Sequence, residues 1–170
     1  MISPLRAVYA VGRGRLRRAY LEASIIGSGS FPYFGHKVFA VRDSEIFQRI
    51  ATVGVFEPDI LEVLQCLARP QTTVFDVGAN IGVVTVAMLA KRSDLQFIAI
   101  ECSPSTLPFL RRTYAASNQR DRWQVVEAAM TDQDGVVEFF TAGEAMGAFD
   151  GIKDTGRGGP ARLVRPVGSG

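Results

Sequence analysis

The residues of this sequence best suited to chemistry form one short run, Asp76-Val77-Gly78-Ala79-Asn80-Ile81-Gly82, with one further acid, Glu101, beyond it. Gly78 removes the side chain where a backbone must turn and come close to a ligand. Gly82 lets a following helix start close against a sheet. Asp76 stands next to last in the apolar run Thr73 to Val77, and Glu101 directly follows a second run, Leu95 to Ile100, about 20 residues past the loop. An acid at the second position can accept both hydroxyls of a ribose, as in other nucleoside-binding sheets. An acid at the first position repels a pyrophosphate and attracts a cation. Opposite charges about 4 Å apart gain on the order of 4 kcal/mol before desolvation, at an effective dielectric of about 20. The loop also lacks the Gly-x-Gly-x-x-Gly spacing of dinucleotide binders. A nucleoside carrying positive charge therefore suits this pair of acids better than a dinucleotide does. S-adenosylmethionine, with its ammonium and sulfonium, is such a molecule.

These residues need elements to hold them. Thr73 to Val77 predicts a short buried strand, Val83 to Lys91 a helix pressed on a sheet, and Leu95 to Ile100 a second buried strand. Ser103 can cap a helix whose first position is Pro104 and which runs to about Ser117, with Pro108 distorting its first turn. Trp123 to Ala128 predicts a third strand. Strand, helix, strand, helix, strand is the pattern of a parallel sheet with right-handed crossovers, and crossovers stepping one way give the order 3-2-1 with helices on its faces.

Upstream, the first thirty or so residues read as a basic helical segment, interrupted by Gly12 and Gly14 and ended by Gly27-Ser28-Gly29-Ser30. Lys37 to Val41 predicts a strand and Asp43 to Val53 a helix. Glu57 to Ala68 predicts another helix, with Pro58 in its first turn and Glu57 and Asp59 beside the positive end of its dipole. Downstream, Asp132 to Gly135 reads as a turn, Val136 to Thr141 as a strand, and the Gly-, Pro- and Arg-rich stretch from Asp154 as a mobile tail. The expected division is a basic N-terminal segment over residues 1–56, a partial cofactor-binding domain over 57–150 and the tail over 151–170.

Composition fits a globular domain: 47% of the 170 residues are hydrophobic and 21% charged, proportions unlike those of a disordered chain. The net charge of +2 does not argue for a nucleic-acid partner. Arg6, Arg13, Arg15, Arg17 and Arg18 could form a membrane or nucleic-acid patch, but a solvated helix face is the preferred reading. No apolar run reaches transmembrane length, and no secretory signal stands at the N-terminus. With only Cys66 and Cys102, a disulfide framework has no material, and a cytoplasmic setting is expected. His36 is the sole histidine, which leaves little for zinc chemistry or a Ser–His–Asp triad, and no metal site is expected.

The spans Val74 to Gly82, Phe97 to Glu101, Ser103 to Asn118 and Ala128 to Gly135 together resemble the FkbM-type methyltransferases, over roughly the middle half of the chain. The resemblance implies a class I, Rossmann-like fold that binds S-adenosylmethionine and methylates oxygen on a small molecule or sugar. It implies Asp76, Gly78, Ala79 and Asn80 at the methionine end, with Gly82 completing the motif, Glu101 at the ribose and Ala129 near the adenine. Two positions depart from the family pattern: Cys102 stands where a proline is usual, and Thr113 where an asparagine is common. An acidic motif resembling Asp-Val-Glu-Gly-Ala-Glu, which follows in the family, does not occur here. The expectation is therefore an incomplete domain with later strands missing. Thr73 to Val77 would then form an open sheet edge, prone to self-association unless the N-terminal segment covers it.

Other candidates carry less. His36 could be a general base but reads as polar surface, and Asp132 and Asp134 read as a turn rather than a calcium loop. Cys102 has no basic neighbour to activate a thiolate, and Phe139, Phe140 and Trp123 read as core. No catalytic base is nominated. The alternatives are a truncated, non-catalytic cofactor-binding or interaction module and, more weakly, a nicotinamide-dependent oxidoreductase.

Overall fold

The computed structural model describes residues 4–131, 137–140 and 161–164. Its centre is a three-stranded parallel sheet of β3 (Thr73–Val77), β4 (Gln96–Glu101) and β5 (Trp123–Glu127), side by side in that order with β4 in the middle. The crossovers are α4 (Val83–Lys91) and α5 (Leu107–Ala116), so the chain is α/β. Before them come α1 (Pro4–Ser28), the hairpin of β1 (Ser30–Tyr33) and β2 (His36–Phe39), α2 (Glu45–Val53) and α3 (Pro58–Leu67). After them β6 (Val137–Phe140) pairs antiparallel with β7 (Ala161–Val164).

Register decides which side chains share a face. Asp76 pairs with Ala99, Val74 with Phe97, and Phe97 with Trp123, so these residues all point to one side. Both crossover helices lie on that side. Thr85 of α4 reaches Asp76, and Leu110 of α5 and Trp123 of β5 crowd Gly82 at the start of α4. Tyr114 of α5 stacks edge-on against Trp123, with ring centres 5.4 Å apart. The hairpin forms a further layer, β1 touching α4 and β2 touching α5. The Phe39 N–H donates to the buried hydroxyl of Thr113, and the Arg112 guanidinium lies over the Phe39 ring. Thr113 thus ties the hairpin to the crossover helix. One core runs through all of this, from Leu21, Phe31 and Phe47 to Met88, Phe97 and Leu110.

Among the described residues the two crossover helices lie on the Asp76 face of the sheet. On the opposite face Phe75 is 60% exposed and Val77 55%, Ile98 and Val126 are half-buried, and Ile100 is buried. β3 is therefore not the buried strand its apolar run predicts. It is an edge strand that pairs only with β4 among the described residues.

Two local expectations fail for stated reasons. α1 runs unbroken through Gly12 and Gly14. Each glycine costs a helix about 1 kcal/mol relative to alanine. Against this, Leu21 and Ile25 are buried in the core, Arg17 donates to the carbonyls of Ala51 and Thr52 at the end of α2, and Arg18 bonds Gln48. α5 starts at Leu107 rather than Pro104, because residues 104–106 form a turn in which the Ser103 carbonyl accepts from the N–H groups of Thr106 and Leu107. Pro108 then falls at a second helical position, where no N–H is required, and distorts nothing. The strand Ser30–Tyr33 was not anticipated. Within the expected tail, Ala161–Val164 forms β7; the rest of residues 151–170 and the Asp132–Gly135 turn lie outside the described residues.

Candidate functional site

The site grows from the carboxyl ends of β3 and β4, where ligands of open parallel sheets bind. After Val77 the chain turns at Gly78, whose φ of +75° suits glycine, and nothing lies within 4 Å of where a side chain would begin. The N–H groups of Gly78 and Ala79 both donate to the Ile100 carbonyl, at 2.9 and 3.1 Å, which pins the loop over the end of β4. Asn80 also adopts a left-handed conformation, φ +52°, and its N–H donates to Glu101 Oε2 at 2.7 Å. The Gly82 N–H donates to the Ala79 carbonyl, and α4 begins.

With Gly78, Ala79, Asn80 and Gly82 all donating within the protein, these amides form no cradle for a phosphate. This conformation is unlike that of a pyrophosphate-binding loop.

Asp76 is half-buried and accepts a 2.6 Å bond from the Thr85 hydroxyl. Burial pushes its carboxyl above the ordinary value. Thr85, through hydroxyl and backbone N–H, pulls the other way, and the charge of Glu57 adds to the rise. Glu101, 7% exposed, accepts from Asn80 N–H through Oε2, and from Cys102 and Ser103 N–H through Oε1 at 2.9 and 2.7 Å. Glu101 lies two residues beyond Ala99, the partner of Asp76, so strand alternation puts both acids on the same face of the sheet. Glu101 bonds the loop at Asn80, and Asp76 bonds Thr85 of α4.

A cleft of about 560 Å³ opens beside the loop, a volume within the usual range for small-molecule sites. Its walls include Asp76, Gly78, Ala79 and Asn80, together with Phe56, Glu57, Ile60 and Leu64 at and within α3. Among the described residues they carry two carboxylates, Asp76 and Glu57, and no Lys, Arg or His. Glu57 is the site residue that sequence reasoning missed, having read it only as a charge at a helix end.

Glu101, Gly82 and Ala129 do not line this cleft. Gly82, with φ +86°, is packed tight: a Cβ there would meet Leu110 at 3.0 Å and Trp123 at 3.1 Å. Its work is packing. Ala129 is buried in a small cluster with Phe139 and Val164, against which Cys102 packs. His36 begins β2, away from the cleft walls, and burial and the charge of Arg122 push its pKa down. Trp123 and Phe139 are core residues.

The Asp76 and Glu57 carboxylates and the bare bend at Gly78 line the cleft, groups that would suit a cationic ligand such as S-adenosylmethionine, while Glu101 sits beside the loop at the next strand end. Compared with known proteins, the chain matches no family model and no curated protein. No helix among the described residues is long and apolar enough to cross a membrane.

Proposed function

We propose that this chain is the donor-binding part of an S-adenosylmethionine-dependent methyltransferase of the FkbM type, serving O-methylation of a small molecule or sugar. The observation that carries the reading is the cleft beside the glycine loop, which among the described residues has two acids and no basic residue, with the amides of Gly78, Ala79, Asn80 and Gly82 engaged within the protein. A cationic nucleoside is the ligand such a surface attracts, and the same features disfavour a nicotinamide dinucleotide. The parallel β3-β4-β5 sheet with its α4 and α5 crossovers supports the Rossmann-like half of the assignment.

In this reading Asp76 and the Gly78–Asn80 backbone hold the methionine end. Glu101 braces the loop through Asn80 and meets the ribose, and Ala129 lies towards the adenine. The bound cofactor supplies an electrophilic methyl group. The contribution of these residues is orientation, the main requirement of an in-line transfer. A reducing, cytoplasmic setting belongs to the same proposal, since two cysteines are too few for a disulfide framework.

The test is calorimetric titration of S-adenosylmethionine into the protein and into Asp76→Ala and Glu101→Ala variants. Binding that both variants weaken is the expected result. Equal heats from all three remove the site assignment. A second reading, a non-catalytic module that binds cofactor or another protein, is favoured by the uncovered sheet face at Phe75 and Val77. Cofactor binding without methyl transfer to any of a panel of sugars and hydroxylated small molecules supports it.

A further inference from the structure

The cleft contains one charged group that the donor-binding reading leaves without a task. Glu57 stands at the junction of the core-packed segment Val55-Phe56 and α3, in a left-handed conformation with φ +43° and ψ +62°. Few residues other than glycine adopt this conformation, and its cost is tolerated where surroundings impose it. As the residue before α3 it makes no side-chain cap. Its side chain has no hydrogen-bond or ion-pair partner among the described residues. Yet it lines the same cleft as Asp76, close enough for its charge to act on that carboxyl. Two carboxylates brought to one largely apolar cleft, with no basic residue among its walls, repel one another until a cation arrives.

We propose that Glu57, lining the cleft with Asp76 and the Gly78–Asn80 backbone, pairs with the α-ammonium of the bound methyl donor. The inference rests on the donor-binding reading and deepens it, because it names the ligand group that Glu57 meets. Glu57 touches no reacting atom in this scheme; it orients the amino-acid arm of the cofactor. The pairing depends on charge and is exposed to solvent, so its effect is modest and sensitive to salt.

Three ligands separate the possibilities. S-adenosylmethionine and S-adenosylhomocysteine both carry the α-ammonium, and methylthioadenosine lacks the amino-acid arm. Titrations use the full chain, Glu57→Gln and Glu57→Lys, with thermal melts to verify that each variant folds. The expected result is that Glu57→Gln weakens both amino-acid-bearing ligands about three- to fivefold, the range of an exposed ion pair. Glu57→Lys weakens them further, methylthioadenosine is unaffected by either change, and added salt narrows the difference between wild type and Gln. Unchanged affinity for S-adenosylmethionine in both variants overturns the role of Glu57 while leaving the donor site intact. Equal weakening of all three ligands also overturns it, since that pattern marks a general disturbance of the cleft. Failure of the wild-type chain to bind any of the three overturns the donor-binding reading itself, and this inference with it.

Discussion

Asp76 shows how one residue can be costly to the fold and useful to a ligand. Burial raises its carboxyl above the ordinary value of 3.8, so the fold favours the protonated form. A raised folded value means a contribution that is fully present below the unfolded value and lost as pH rises through the folded one. At neutral pH the buried carboxylate is therefore a burden, lightened by Thr85 and worsened by Glu57. Asp76→Asn keeps an oxygen for the Thr85 hydroxyl and removes the charge. We expect it to raise the thermal midpoint at pH 7 by a few degrees, the response of a chain this size to about 1 kcal/mol, while weakening S-adenosylmethionine. A melt at pH 7 beside a melt near pH 4 checks the sign, because the advantage of the variant should shrink on acidification.

The loop glycines separate in the same way. Gly82→Ala forces a methyl against Leu110 and Trp123 at a positive φ and should cost about 1–3 kcal/mol of stability. Gly78→Ala meets open space, so its backbone strain is smaller than the combined strain and clash at Gly82, and its main effect should fall on ligand affinity. Denaturant melts of the two variants, paired with titrations, distinguish the roles.

At the level of elements, strand and helix boundaries were legible where one local signal dominated. β3 and α4 follow from an apolar run, a glycine bend and a second apolar run. β1 was hidden because Ser30–Tyr33 contains Pro32 and follows a Gly/Ser stretch. It becomes a strand only through pairing with β2 and through burial of Phe31 and Tyr33. α1 was hidden by its glycines, whose local cost is outweighed by contacts distant in sequence. Arg92 is another residue whose role appears only in three dimensions. Its guanidinium pairs with Asp94 and donates to the Gln65 and Ala68 carbonyls at the end of α3, which clamps α3 to the end of α4. Arg92→Ala should lower the denaturant midpoint, because the Gln65 and Ala68 carbonyls lose their side-chain donor. The same pairing holds the Asp94 carboxyl down at about 2, so this link persists above the ordinary value of 3.8 and is lost as pH falls towards 2.

For the whole molecule, the consequence of an edge strand with exposed apolar side chains, as β3 is among the described residues, is association. β3 offers unpaired backbone groups at an edge beside exposed Phe75 and Val77, and the N-terminal elements pack on the other side of the sheet, over α4 and α5. We expect concentration-dependent self-association in sedimentation velocity, reduced by Phe75→Lys, which places a charge on the edge strand. A wild-type chain that stays monomeric at high concentration contradicts this. The acids Asp76 and Glu101 and the bend at Gly78 were visible in the sequence because strand ends and glycine turns leave local marks. Glu57 was not, since only the docking of α3 beside the loop brings it to the cleft.

The most direct test of the central claim is amide-shift mapping by ¹⁵N NMR while S-adenosylmethionine is added. The account predicts the largest shifts at Gly78, Ala79, Asn80 and Cys102, the amides that form the loop or bond Glu101. Shifts confined to α1 or the β1–β2 hairpin, or none at saturating cofactor, would contradict it.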